Sequence, residues 1–132
     1  MSDIDDKKTA GGGRDRHAAG PAIAVVVPVH DESDNVLPLI EEIHAALDGR
    51  LDFEAIYVDD CSSDATPGIL ADAMARFPRL RVLRHRARAG QSAALVTGIK
   101  GARAPVIATL DGDGQNDPAD IPALVERLRA AA

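Results

Sequence analysis

Residues 22–27 read Ala-Ile-Ala-Val-Val-Val, a continuous apolar run of strand length. A strand with one wet face alternates apolar and polar residues, whereas a strand covered on both faces does not. This segment is therefore read as a central strand of a parallel sheet, and the rest of the chain must supply helices for both faces. Strand-like runs recur at 53–58 (FEAIYV), 80–84 (LRVLR, with the alternation of a sheet edge) and 105–110 (PVIATL). Helical patterns fall between and after them. The first spans about 34–47, with Val36, Leu39, Ile40, Ile43 and Leu47 on one face, Ser33 or Asp34 as cap and Pro38 near the first turn. The second begins at Thr66 as cap and Pro67 as first helical residue and runs to Pro78, the third covers 90–103, and the fourth 118–130. Four strand–helix units in series predict an α/β fold: an open sheet of four parallel strands in the spatial order 3-2-1-4, with helices on both faces.

Composition narrows the functional classes. The chain has 132 residues, room for one domain. Fifteen Lys and Arg stand against 21 Asp and Glu, a net charge of −6, which argues against a nucleic-acid partner and against a polybasic membrane anchor. With two Phe, one Tyr and no Trp, binding cannot depend mainly on aromatic stacking. The lone cysteine, Cys61, cannot form an internal disulfide and reads as a small buried side chain in a reducing compartment. The longest apolar run, Ala22 to Val29, is interrupted by Pro28 and is too short to span a bilayer. Residues 1–20 lack a signal-peptide core and mix acids, bases and glycines, so they are expected to form a disordered tail ahead of a domain at 21–132.

The informative pattern is where the carboxylates fall. Open parallel sheets bind ligands beyond the C-terminal ends of their strands. Here one strand runs into Pro28-Val29-His30-Asp31-Glu32, the next into Asp59-Asp60, and the last into Asp111-Gly112-Asp113. Residues 73–110 hold no acid but many arginines, most read as a solvated face; Arg88 differs because it follows a strand at the same rim as the acids. In the run 110–115, residues 111, 113 and 115 project to one side if the backbone is extended, so two carboxylates and an amide carbonyl converge. Hard oxygen donors of this kind suit Mg²⁺ or Mn²⁺, and an arginine beside them completes a diphosphate site. Two other chemistries fit less well. A calcium-binding EF-hand loop would need Gly and Glu where Asn116 and Pro122 stand. A haloacid-dehalogenase-like phosphatase carries its Asp-x-Asp near the start of the chain, with much sequence after it. Helix capping alone explains Asp117 or Asp120 but not the pair Asp111 and Asp113.

Taken in order, Val-Pro-Val-His-Asp-Glu (27–32), Val-Asp-Asp-Cys-Ser-Ser-Asp-Ala-Thr (58–66), Ala-Gly-Gln-Ser-Ala-Ala-Leu (89–95) and Leu-Asp-Gly-Asp-Gly-Gln-Asn-Asp-Pro (110–118) resemble the nucleotide-binding half of family 2 glycosyltransferases. The nearest resemblance is to the polyprenyl-phosphate subgroup typified by dolichol-phosphate mannosyltransferase. It implies the Rossmann-like nucleotide-binding half of a GT-A fold over about residues 22–128. It implies an inverting transfer of sugar from a nucleotide-sugar to a polyprenyl phosphate, with Mg²⁺ or Mn²⁺, at a cytoplasmic location that for the full-length form is the cytoplasmic face of the membrane. By the same resemblance Pro28, His30 and Glu32 contact the nucleotide, Val58 and Asp60 hold its base and ribose, Gly112 lies against it, and Asp111, Asp113 and Gln115 ligate the metal. Arg88 is added from its position alone, as a diphosphate contact. Asp59 is expected to be structural. The chain departs from the family pattern in having His30 where Tyr is more usual, Asp31 for Asn, Gly112 and Gly114 for Ala and Leu, and Arg88 for Asn.

The family's catalytic domain is about twice this long, so the sequence is read as an N-terminal portion, with transferase activity of the chain alone in doubt and no residue assigned as catalytic base. The rival reading is a nucleotide-sugar-binding half-domain without turnover. A nucleotidyltransferase is disfavoured, because residues 28–32 lack the Gly-rich loop with a basic residue that opens such enzymes.

Overall fold

In the computed structural model, residues 4–6 and 20–131 are described. The four expected parallel strands form as β2 (Ile23–Val29), β3 (Phe53–Asp59), β4 (Leu80–His85) and β5 (Val106–Thr109), and β1 (Ile4–Asp6) adds a short strand at one edge. The sheet order is β1-β4-β3-β2-β5. Without β1 this is the 3-2-1-4 order expected from the sequence. β1 runs antiparallel to β4, with Ile4 opposite His85 and Asp6 opposite Leu83. It falls inside the stretch expected as a disordered tail; the remainder of that stretch, apart from Gly20, lies outside the described residues. β4 is consequently flanked on both sides.

The continuous apolar character of β2 has the cause inferred for it. Ile23, Val25, Val27 and Val29 join one buried cluster with α1 (Val36–Leu47), α2 (Thr66–Arg76) and α4 (Ile121–Ala131). Ala24 and Val26 join a second cluster, with Ile56 and Val58 of β3 and Ala94 of α3 (Gln91–Gly101). Alternate residues of one strand thus serve opposite faces. On the second face α3 approaches closely: a Cβ at Gly98 would run into Val26 Cγ1 and lie 3.1 Å from Val58 Cγ2. Only glycine permits that contact.

Two helix starts differ from the expected capping. α1 begins at Val36 without a side-chain cap; the Glu32 carbonyl accepts from the N–H groups of Asn35 and Val36 instead. At α2, Asp64 Oδ1 accepts from the Thr66 N–H at 2.9 Å, while the Thr66 hydroxyl accepts from the Glu32 N–H at 3.1 Å. Thr66 therefore ties two loops together, Ala65 stands at the cap position without a side-chain cap bond, and Asp64 satisfies the first helical N–H from one residue further back. No helix among the described residues is long and apolar enough to cross a membrane.

Candidate nucleotide-sugar site

All four parallel strands end at one rim, and there the chain encloses a cleft of about 280 Å³. Its walls contain Pro28, His30 and Glu32 after β2, Asp60 after β3, Arg88 after β4, and Asp111, Gly112 and Asp113 after β5. Eight of the residues singled out in the sequence thus come together. Val29, Gln91 and Ala94 complete the lining. Gln91, the first residue of α3, lies in the 89–95 motif but is not among the residues singled out in the sequence; its place in the cleft depends on how α3 docks.

Two singled-out residues lie elsewhere. Val58 is fully buried, with its side chain packed toward α3, because its parity on β3 assigns it to the second face. Gln115 is exposed beyond the cleft lining. The extended backbone assumed for 111–115 is replaced by a turn: Gly114 takes φ +80° and its N–H reaches the Asp111 carbonyl at 3.4 Å. Asn116 Oδ1 accepts from the Asp111 N–H and Asp113 Oδ1 from the Gln115 N–H. Such local side-chain bonds compete with extended structure and close the turn.

The loops after β2 and β3 interlock. Asp31 donates its N–H to Ser62 Oγ at 2.9 Å, and its Oδ1 accepts from the N–H groups of Ser63 at 2.8 Å and Asp64 at 3.3 Å. Asp31 and Cys61 both adopt left-handed backbone, φ 53° and 60°. Hydrogen bonding from the Thr66 hydroxyl, above all, together with the Thr66 and Ser33 N–H groups, holds the Asp64 carboxyl down at about 2. His30 donates from Nδ1 to the Asp60 carbonyl at 2.9 Å, with Nε2 3.3 Å from Asp31 Oδ2.

Asp59 is structural: it is 1% exposed, accepts from the Ser62 N–H and lies 3.7 Å from Arg84 Nε. Asp60 is also buried, and its carboxylate accepts from the Ala89 and Gly90 N–H groups, each at 2.8 Å, and from His85 Nδ1 at 2.8 Å. Burial pushes the Asp60 carboxyl up, but the hydrogen bonds from Ala89, His85 and Gly90 together outweigh it and leave it below the ordinary carboxylate value.

Asp111 and Asp113 differ in kind: both are exposed, and among the described residues the side-chain donor on Asp111 is Gln91 Nε2 at 3.4 Å. Among the described residues no three His, Cys, Asp or Glu side chains gather closely enough to hold a metal alone. Two available carboxylates beside Arg88 nevertheless suit a cation that takes its remaining ligands from phosphate oxygens and water.

The fold is shared with known glycosyltransferases. Mannosyltransferase PcManGT from Pyrobaculum calidifontis, solved with GDP-Man and Mn²⁺, superposes with TM-score 0.73 at 24% identity, over 92% of this chain and 36% of that one. S. aureus TarS 1-349, solved with UDP, gives TM-score 0.72 at 19% identity, over 83% of this chain and 32% of that one. The fold is therefore that of the GT-A class of glycosyltransferases. The family model for glycosyl transferase family 2 matches residues 24–132, and the chain belongs to that family. Among curated relatives it is 42% identical, over 80% of its length, to dodecaprenyl-phosphate galacturonate synthase of Rhizobium johnstonii. It is 33% identical, over 81% of its length, to dolichol-phosphate mannosyltransferase of Pyrococcus furiosus. The chain spans 32% and 30% of those two relatives, about a third of their length.

Proposed function

We propose that this chain forms the donor-binding part of an inverting glycosyltransferase that moves a sugar from a nucleotide-sugar to a polyprenyl phosphate at the cytoplasmic face of a membrane. The observation that carries the reading is the single cleft in which Pro28, His30, Glu32, Arg88, Asp111 and Asp113 meet at the C-terminal ends of four strands. In the reaction an oxygen of the polyprenyl phosphate forms a bond to the anomeric carbon. The bond from that carbon to the nucleoside diphosphate breaks, and its electron pair leaves on the β-phosphate oxygen. The acceptor oxygen is already anionic near neutral pH, so no side chain here is needed as base.

Asp111 and Asp113 would hold Mg²⁺ or Mn²⁺, which when bound stabilises charge on the departing diphosphate. Arg88 adds a fixed positive charge at the same wall. Pro28, His30 and Glu32 form the wall for the nucleotide, with His30 anchored to the Asp60 carbonyl. Asp60 contributes by holding the 86–90 loop in place.

A second reading, donor binding without turnover by this chain, is favoured by one fact: Arg88 is the only Arg or Lys among the described cleft residues. Arg127 lines a separate groove beside β5, so among the described residues no second Arg or Lys lines the cleft to receive an acceptor phosphate.

Calorimetry tests the donor site. UDP or GDP is expected to bind with Mn²⁺ or Mg²⁺ and not with chelator, since two carboxylates alone repel a diphosphate. Asp113→Ala should abolish the metal-dependent part of the affinity and Asp120→Ala should leave it intact; equal losses would remove the motif from the ligand set. Incubation with labelled nucleotide-sugars and polyprenyl phosphate then separates the two readings by whether glycolipid forms.

A further inference from the structure

We propose that His85 is a positioning residue of the cleft: a buried imidazole that orients the Asp60 carboxylate, which in turn clamps the 86–90 loop and sets Arg88 against the diphosphate. The proposal deepens the donor-binding reading and rests on it for the ligand, though not for the clamp.

His85 is the last residue of β4 and is 4% exposed. Its Nδ1 lies 2.8 Å from Asp60 Oδ1. The Asp60 carboxyl is held on the ionised side, so it accepts and Nδ1 carries the proton. Nε2, on the other side of the ring, lies within hydrogen-bond distance of the Thr97 hydroxyl, 2.7 Å away on α3. Both ring nitrogens are thus engaged, one to the end of β3 and one to the helix whose first residue, Gln91, lines the cleft.

What the imidazole steadies is visible on the other side of Asp60. The same Oδ1 takes the Ala89 N–H and Oδ2 takes the Gly90 N–H. Gly90 has φ +100°, a conformation that side-chain-bearing residues rarely adopt. Arg88 precedes these two amides directly. Its side chain is 66% exposed, and its ion pair with Asp60, Nε to Oδ2, is stretched to 4.0 Å. So loose a contact cannot fix a guanidinium; what sets the root of the Arg88 side chain is the adjoining backbone at 89–90, which Asp60 holds. A carboxylate deprived of the imidazole donor is free to turn, and the loop turns with it.

The test uses the 132-residue chain, with amide hydrogen exchange and calorimetry with GDP and UDP in Mn²⁺. His85→Leu removes the donor, whereas His85→Asn places an amide N–H near the position of Nδ1. His85→Leu is expected to speed exchange at Ala89 and Gly90 well beyond any change along β2, and to weaken diphosphate binding about tenfold. His85→Asn should restore most of both. Arg88→Ala should weaken binding in the unsubstituted chain yet cost little in the His85→Leu background, since a misplaced guanidinium has little to lose.

The proposal falls if exchange rises equally across the sheet, if Asn rescues no better than Leu, or if Arg88→Ala costs the same in both backgrounds. Should His85→Leu not fold, Thr97→Val and His85→Asn carry the comparison: Thr97→Val must loosen the same two amides, and unchanged exchange there overturns the clamp. If neither GDP nor UDP binds the unsubstituted chain, the donor-binding reading fails, while exchange at Ala89 and Gly90 still decides whether His85 holds the loop.

Discussion

Asp59 and Asp60 end one strand, Asp111 and Asp113 follow another, and all four lie at the C-terminal rim of the same sheet, yet their surroundings are opposite. Asp59 and Asp60 are 1% and 3% exposed; Asp59 accepts from the Ser62 N–H, and Asp60 from the Ala89 and Gly90 N–H groups and the His85 imidazole. Asp111 and Asp113 are exposed; among the described residues their carboxylates have a long contact from Gln91 and a local bond from the Gln115 N–H. A carboxylate satisfied by its own protein is stabilised where it stands and has little left to offer a ligand. One left in water beside an arginine is available to a cation. The difference separates the residues that build the rim from those that would do chemistry on it.

The widest gap should appear in stability. Asp60→Ala leaves the Ala89 and Gly90 N–H groups and the His85 imidazole without their acceptor, a loss of about 3 kcal/mol. Asp111→Ala and Asp113→Ala should each stay within about 0.5 kcal/mol of the parent. Urea denaturation of the three variants measures this. Comparable losses at Asp60 and Asp113 would erase the distinction.

A smaller effect is expected at Gly112, between the two exposed aspartates. A Cβ there would sit 2.7 Å from Val29 Cγ1 and 2.9 Å from the Pro28 carbonyl oxygen. The second neighbour is backbone and cannot swing aside, so Gly112→Ala should cost about 1 to 3 kcal/mol and shift the Asp111 and Asp113 carboxylates relative to the cleft. The metal-dependent part of diphosphate affinity should fall with it. Unchanged affinity would mean that the turn need not pack against β2 for the pair to work.

How much of this was legible in the sequence follows from the range of the forces involved. The unbroken Ala22–Val27 run announces a strand covered on two sides, and with right-handed crossovers helices can cover both faces only if the strand order reverses, as the order observed here does at β2. The carboxylates at strand ends were legible too, because a parallel sheet delivers all its C-terminal ends to one rim. What escaped depends on contacts distant in the chain or on competing local bonds. The Thr66 hydroxyl turns to the Glu32 N–H, which helix-start patterns do not register. Gln115 leaves the cleft because Gly114, Asn116 and Asp113 together close a turn where an extended strand end was expected. Val58 was placed by likeness to a motif, whereas parity along β3 sends its side chain under α3. His85 carries no motif; only the docking of β4 beside β3 and under α3 brings it to Asp60 and Thr97.

The smallest expected effect sharpens the comparison from a third carboxylate. Asp64 resembles Asp111 and Asp113 in being exposed but resembles Asp60 in being engaged, through Thr66 and Ser33. Its carboxyl is held at about 2 against an ordinary 3.8. The folded state therefore prefers the ionised form more than the unfolded chain does. A depressed carboxyl of this kind contributes stability that is fully present above the unfolded value and is lost as pH falls from about 4 through about 2. Solvent screening at an exposed site keeps the contribution small. Unfolding free energies measured across that window should decline less steeply for Asp64→Asn than for the parent, the two curves converging at the acid end. If they run parallel, hydrogen bonding at an exposed rim carboxylate does not reach the folding equilibrium, and burial alone would account for the difference between Asp60 and the Asp111–Asp113 pair.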